Sequence, residues 1–102
     1  MLAVKYFLQY VLQMYSPAVV EYLGTSLLIG AVSFTGAPLL IVAALAIAIA
    51  LGGKISGGHF NPAVTAWALL SGKISKARAM TYTIAQLGAA ATVWVLGSFL
   101  KV

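Results

Sequence analysis

Apolar residues run along this chain in long blocks, interrupted at only a few places by glycine, proline or charge. One block covers residues 17–36 and meets Gly36-Ala37-Pro38; a second covers 38–53 and meets Gly52-Gly53-Lys54; a third fills 78–100. Each is predicted to be a helix crossing a membrane, since about 20 apolar residues span a hydrocarbon core of about 30 Å. In the second block Ala and Ile alternate as in a strand. A lone strand in lipid cannot pair its own backbone, so a helix is expected there too. Ahead of the first block, residues 1–16 carry Lys5, Gln9 and Gln13 at every fourth position, a narrow polar stripe on an otherwise apolar helix. This segment is read as an interfacial helix or an early start to the first span. It has no clear small-x-small cleavage site and is not read as a signal peptide.

Between the second and third blocks, residues 54–72 follow a different pattern. Ser56-Gly57-Gly58-His59-Phe60 is a Gly-rich loop, and Asn61-Pro62 follows it directly. Asn caps a helix N-terminus well, and Pro suits the first turn because its missing N–H has no partner there anyway. The apolar run from Ala63 to Leu70 then meets the stop signal Ser71-Gly72-Lys73. A helix of about ten residues is about 15 Å long, half of the hydrocarbon core. A half-length capped helix in a membrane-like sequence predicts a re-entrant segment. The expected fold class is an all-α membrane protein with three transmembrane helices and one re-entrant half helix, a single unit over residues 1–102.

Composition supports the membrane class. Of 102 residues 63% are hydrophobic and 7% charged, more apolar surface than a soluble domain of this size can hide. The net charge of +5 is explained by basic flanks of membrane spans. There is no basic-aromatic patch or recognition helix, so no nucleic-acid partner is expected. The chain has no cysteine, which excludes disulfides and thiolate metal sites. With the N-terminus on the cytoplasmic side, Lys5, Lys54, Lys73, Lys76 and Arg78 all fall inside and Lys101 alone outside. That bias predicts a cytoplasmic N-terminus and a half helix that enters and leaves on the cytoplasmic face.

Few residues carry reactive chemistry. His59 is the single histidine and Glu21 the single acid. No nucleophile–base pair or metal cluster can be assembled from them, so no catalytic residue, metal or cofactor is expected. Glu21 falls within the first span, where a carboxylate is costly without partners and marks a functional site by default. It can relay protons or accept hydrogen bonds from loop N–H groups as structural support, and support is preferred. Gln86 reads as an interhelical hydrogen-bonder. Ser26 and Gly30, and Gly88 and Thr92, lie four apart, a spacing that lets helices pack closely.

Ser-Gly-x-His-x-Asn-Pro-Ala-Val-Thr, followed by Gly72-Lys73-Ile74-Ser75, resembles the first Asn-Pro-Ala box of the major intrinsic proteins, the aquaporins and aquaglyceroporins. Glu21-Tyr22-Leu23-Gly24-Thr25 is similar to that family's first-span signature. Tyr82-Thr83-Ile84-Ala85-Gln86-Leu87-Gly88-Ala89 is similar to the start of its third span. The resemblance implies one half, the N-terminal one, of an inverted repeat. It implies that Asn61, Pro62 and Ala63 form the pore box, with amide N–H groups of Asn61 turned to the pore. Carbonyls from Gly57, Gly58, His59 and Phe60 would line one wall as acceptors. The family's pore-facing group at His59 is the backbone carbonyl, so the ring is expected to be structural. The resemblance also assigns Glu21 the supporting role.

A second Asn-Pro-Ala box is absent, and so are the Arg and His that the family's second half brings to the selectivity constriction. Val64 follows the box as in the first half. Ile41 falls near the position where water channels often carry Phe and glycerol channels Trp, and it matches neither. Val64 and Ile41 are the expected selectivity positions. The implied partners are membrane lipid, water or a small neutral solute, and a second half-repeat chain, with a higher oligomer because family members form tetramers. That second half is either an identical chain placed antiparallel, against the charge bias, or a different chain. A partial sequence that conducts nothing alone is the third reading.

Overall fold

The protein is described by a computed structural model over residues 1–100; Lys101, the one charge expected outside, lies beyond the described residues. Four α-helices follow one another: α1 (Leu2–Phe34), α2 (Pro38–Ser56), α3 (Pro62–Leu70) and α4 (Lys76–Leu100). α1, α2 and α4 are long and apolar enough to cross a membrane. α3 has nine residues and is about 14 Å long, the half-length helix expected from the Asn-Pro start.

α1 differs most from the expected bounds. Residues 1–16 and the first span form one continuous helix of 33 residues, about 50 Å long. Pro17 lies inside it, and its ring nitrogen leaves the Gln13 carbonyl without a helical donor. Arg78 Nη2 on α4 supplies a substitute at 3.4 Å. The helix therefore continues past Pro17 with its freed carbonyl partly answered from a neighbour. α2 also runs beyond residue 53, through Gly52-Gly53-Lys54 to Ser56. α4 begins two residues before the expected position 78, because the Ser75 side chain accepts from Arg78 N at 3.1 Å and caps it.

The helix ends follow from their glycines. Gly72 has φ of +71°, its N–H donates to the Leu69 carbonyl, and Lys73 N donates to the Ala68 carbonyl. Together these bonds close α3 as a Schellman motif. Gly36, with φ of +60°, ends α1 in a related way, its N–H reaching the Ala31 carbonyl.

α1 is the middle of the molecule. It packs against α2 on one side and α4 on the other, and α3 packs against α4. The result is a slab 48 × 33 × 22 Å. The buried positions of α2 are Ala44, Ala48, Gly52 and Ser56, a seam of small residues at every fourth position. Such a seam lets helix backbones approach where lipid gives no hydrophobic drive. Gly52 shows the closeness, since a Cβ there would overlap the Val20 side chain. α1 and α4 run parallel: Arg78 meets Gln13 and Gln86 meets Glu21 at the same offset of 65 residues. Tyr22 Oη and Thr92 Oγ1 add a bond of 2.7 Å further along. The Thr92 hydroxyl donates to the Gly88 carbonyl, so Tyr22 is the donor of that pair. At the shared offset α4 starts level with Val11, and Leu2 to Tyr10 of α1 extend past it, exposing Leu2, Val4, Tyr6, Phe7 and Leu8.

Candidate functional site

The loop from Gly57 to Asn61 returns the chain from the end of α2 to the start of α3. It turns sharply because Gly57, Gly58 and Phe60 all have positive φ, at 91°, 67° and 51°. The two glycines adopt that conformation freely. Phe60 does not, and the left-handed region costs a side-chain-bearing residue about 1–2 kcal/mol. Two interactions hold it there. Its N–H donates to Glu21 Oε1 at 2.7 Å, and its ring is buried to 2% exposure. The ring lies on the bare backbone of Gly24, where a Cβ would overlap its edge.

Glu21 organises this loop. It is fully buried, and four donors converge on its carboxylate. Ser56 Oγ (2.7 Å) and His59 N (3.1 Å) reach Oε2, while Phe60 N (2.7 Å) and Gln86 Nε2 (2.8 Å) reach Oε1. A carboxylate has about four acceptor sites, and here each has a donor. The charge of the span is thus surrounded by hydrogen bonds from α2, the loop and α4 together.

These bonds decide where the loop carbonyls point. Gly58 N donates to Ser56 Oγ, and the next two N–H groups turn inward to Glu21. In a planar trans peptide the carbonyl of one residue points opposite to the N–H of the next. The carbonyls of Gly57, Gly58 and His59 therefore face away from Glu21. Among the described residues none of them accepts a backbone hydrogen bond.

Asn61 follows in an extended conformation, with φ of −163° and ψ of 123°. Its side-chain oxygen accepts from Ala63 N at 2.8 Å, which caps α3 as its residue type and position predict. With Oδ1 turned toward the helix, the Nδ2 amide group is left without a partner among the described residues, on an exposed side chain. Pro62, Ala63 and Val64 are exposed beside it.

Behind the loop, α3 and α4 share a second polar cluster. Gln86 Nε2 also donates to Thr65 Oγ1 at 2.9 Å, and Thr65 Oγ1 lies 2.9 Å from His59 Nδ1. The His59 ring meets the edge of Tyr82 with centroids 5.1 Å apart. Tyr82 in turn donates its hydroxyl to the Ser56 carbonyl at 2.6 Å. Gln86 Oε1 is buried without a partner.

Glu21, Gly57, Gly58, His59, Phe60, Asn61 and Gln86 are thus brought together. Ile41 is not among them: it lies in the first turn of α2, 15 residues before Ser56 and roughly 22 Å from it along the axis. The Phe60 ring turns into the protein, so the loop presents only backbone at that residue. Ser56, Thr65, Tyr82 and Gly24 belong to the site although residue-by-residue reading gave them no role. The available signal was hydroxyls on apolar helices, which in lipid must find partners. Among the described residues no group of three His, Cys, Asp or Glu is placed to hold a metal.

Residues 7–101 match the sequence model of the major intrinsic protein family. The chain is similar to the probable aquaporin TIP1-2 of Oryza sativa subsp. japonica, 54% identical over 44 residues, which is 43% of this chain and 18% of that protein. It is 45% identical to aquaporin TIP4-1 of Zea mays over 72 residues, 63% of this chain and 28% of the maize protein. It is also 41% identical to the glycerol uptake facilitator protein-like 6 of Lactiplantibacillus plantarum over 80 residues, 66% of this chain and 35% of that one. The matched region is thus well under half the length of each of these relatives. No solved structure matches the chain.

Proposed function

The chain belongs to the major intrinsic protein family, and from that premise we propose that it supplies one half of a passive channel for water and small neutral solutes such as glycerol. The observation that carries this reading is the division of polar groups around the loop. Its N–H groups are held inward by Glu21 and Ser56, leaving outward carbonyls as acceptors and the Asn61 amide as donor. A passing hydroxylic molecule needs both, and the positive end of the α3 dipole beside Asn61 disfavours cations. Val64 is proposed to border the passage next to the Asn-Pro-Ala box. Ile41, far from the box, is proposed to set selectivity at a separate level. Glu21 and Gln86 hold the loop and do not touch the solute. No bond is made or broken, so the role is not enzymatic.

For this integral, multi-pass protein we assign the N-terminus and the half-helix loop to the cytoplasm, since counting the spans puts Lys5, Lys54, Lys73, Lys76 and Arg78 on one side. One half cannot close a pore, and the same charge bias favours completion by a different chain carrying the second half over an antiparallel copy. A non-conducting subunit of a larger channel is the second reading.

Osmotic shrinkage of proteoliposomes, followed by light scattering, tests the proposal. Faster shrinkage than in empty vesicles, alone or with a second-half chain, and its loss in Asn61→Asp at equal protein content, is the expected outcome. Shrinkage at the bare-bilayer rate under both conditions refutes conduction and leaves the non-conducting subunit.

A further inference from the structure

At the basic end of the spans, α1 and α4 enclose a cavity of about 240 Å³ bordered by Tyr10, Gln13, Met14, Ser75, Arg78 and Thr81. Arg78 faces it, with no ion-pair partner among the described residues. Glu21 is the only acid in the chain, and four donors already occupy it. One guanidinium N–H reaches the Gln13 carbonyl and the group also lies beside the Tyr82 hydroxyl, which leaves part of its five donors for another acceptor. The Ser75 oxygen accepts from Arg78 N, so its hydroxyl hydrogen is free to donate. Lys73 and Lys76 stand within the same six-residue stretch. The cavity thus carries hydrogen-bond donors on Arg78 and Ser75 and has no carboxylate among the described residues that line it.

A second cavity adjoins it at Thr81. Thr81 borders both, and beyond it a groove of about 460 Å³ runs between the same two helices past Tyr15, Val19, Tyr22, Ile84 and Gly88. Its walls are almost wholly apolar side chains. From Thr81 to Gly88 it covers about 10 Å along α4, away from the charged end. A pocket bearing an arginine and a hydroxyl, set beside an apolar groove running toward the membrane interior, has the polarity profile of one phospholipid molecule. A free phosphate ion would use the first part only.

We propose that the α1–α4 face binds an anionic phospholipid, its phosphate on Arg78 and Ser75 and one acyl chain in the groove that ends at Gly88. Arginine suits this task because its planar fork pairs with two phosphate oxygens at once. Basic pockets between transmembrane helices are suited to anionic lipid headgroups for the same reason. None of the loop residues 57–61 lines either cavity, so the site rests on no assumption about conduction.

Native mass spectrometry of the detergent-purified chain, with phosphatidylglycerol or phosphatidylcholine added, tests this. The wild type should retain phosphatidylglycerol in preference to phosphatidylcholine. Arg78→Gln should lower phosphatidylglycerol retention about tenfold, the effect of one charge-assisted hydrogen bond, and abolish the preference. Gly88→Leu keeps every charge and replaces a glycine whose added Cβ would only touch Tyr22 at 3.9 Å. It should lower retention of both lipids by filling the groove, with helix content by circular dichroism unchanged. Equal retention of the two lipids by the wild type overturns the proposal, as does a Gly88→Leu variant that binds like the wild type. Displacement of the lipid by millimolar inorganic phosphate also overturns it, in favour of a free-anion site.

Discussion

Replacing Glu21 with leucine removes the acceptor of four hydrogen bonds at once and leaves a side chain of similar bulk in its place. The Ser56 hydroxyl and the Gln86 amide can turn to other partners, Gln86 because its Nε2 already reaches Thr65 Oγ1 at 2.9 Å. The backbone N–H groups of His59 and Phe60 cannot turn, because the loop fixes them at 3.1 and 2.7 Å from the carboxylate. A hydrogen bond to a charged group contributes about 1.5–3 kcal/mol, so losing these two costs the loop conformation at least about 3 kcal/mol. By the tenfold-per-1.4 kcal/mol rule this is a factor of about 100 in the opening equilibrium. Hydrogen–deuterium exchange of the chain in nanodiscs reads it directly. The amides of residues 58–60 should exchange about a hundredfold faster in Glu21→Leu, while those in the middle of α2 keep their protection. Glu21→Gln should fall between, since its amide retains one acceptor oxygen and turns an N–H toward the loop donors. Unchanged exchange at residues 58–60 in both variants would show that the carboxylate does not hold the loop, and the account of the outward carbonyls would go with it.

Gly24→Ala should destabilise the fold by about 1–3 kcal/mol, the usual effect of an overpacked core, because the new methyl meets the Phe60 ring; thermal melting in detergent by circular dichroism measures it. Asn61→Ala should cost about 1 kcal/mol through loss of the α3 cap, whereas Asn61→Asp keeps the accepting oxygen and should melt with the wild type. A shared loss of stability would mean that Oδ1 is not the cap. Tyr82→Phe removes the donor to the Ser56 carbonyl and leaves the aromatic contact with His59, and a loss of about 1–2 kcal/mol is expected. Arg78→Gln should destabilise less in a Pro17→Ala background, where an alanine N–H supplies the Gln13 carbonyl. A double-mutant cycle on melting temperature would show no coupling if that pairing is incidental.

The half helix was legible because its start and stop are local chemistry. Asn61 caps, Pro62 fits the first turn and Gly72 takes the left-handed position, and none of these depends on what packs nearby. Glu21 was legible as a site because it is the one acid in an apolar chain, though its four partners were not. Ser56, Thr65 and Tyr82 look like ordinary polar residues of apolar helices until α1, α2 and α4 converge. The length of α1 escaped the pattern for a tertiary reason as well. Pro17 marks a helix start on local grounds, and the helix continues through it while Arg78, 65 residues away from Gln13, reaches the carbonyl that the proline frees. Gly24 was visible in a motif, but its need to be bare follows only from the ring it carries.

The order in which the partners of Glu21 are synthesised has a consequence for biogenesis. Phe60 follows it by 39 residues and Gln86 by 65. At about 5–20 residues per second, the carboxylate waits about 2–8 s for its loop donor and about 3–13 s for its α4 donor. During that interval α1 carries an unanswered charge and is a poor candidate for free residence in lipid. Of these three spans α1 is synthesised before α2 and α4, yet its carboxylate has its full set of donors only once α4 has arrived.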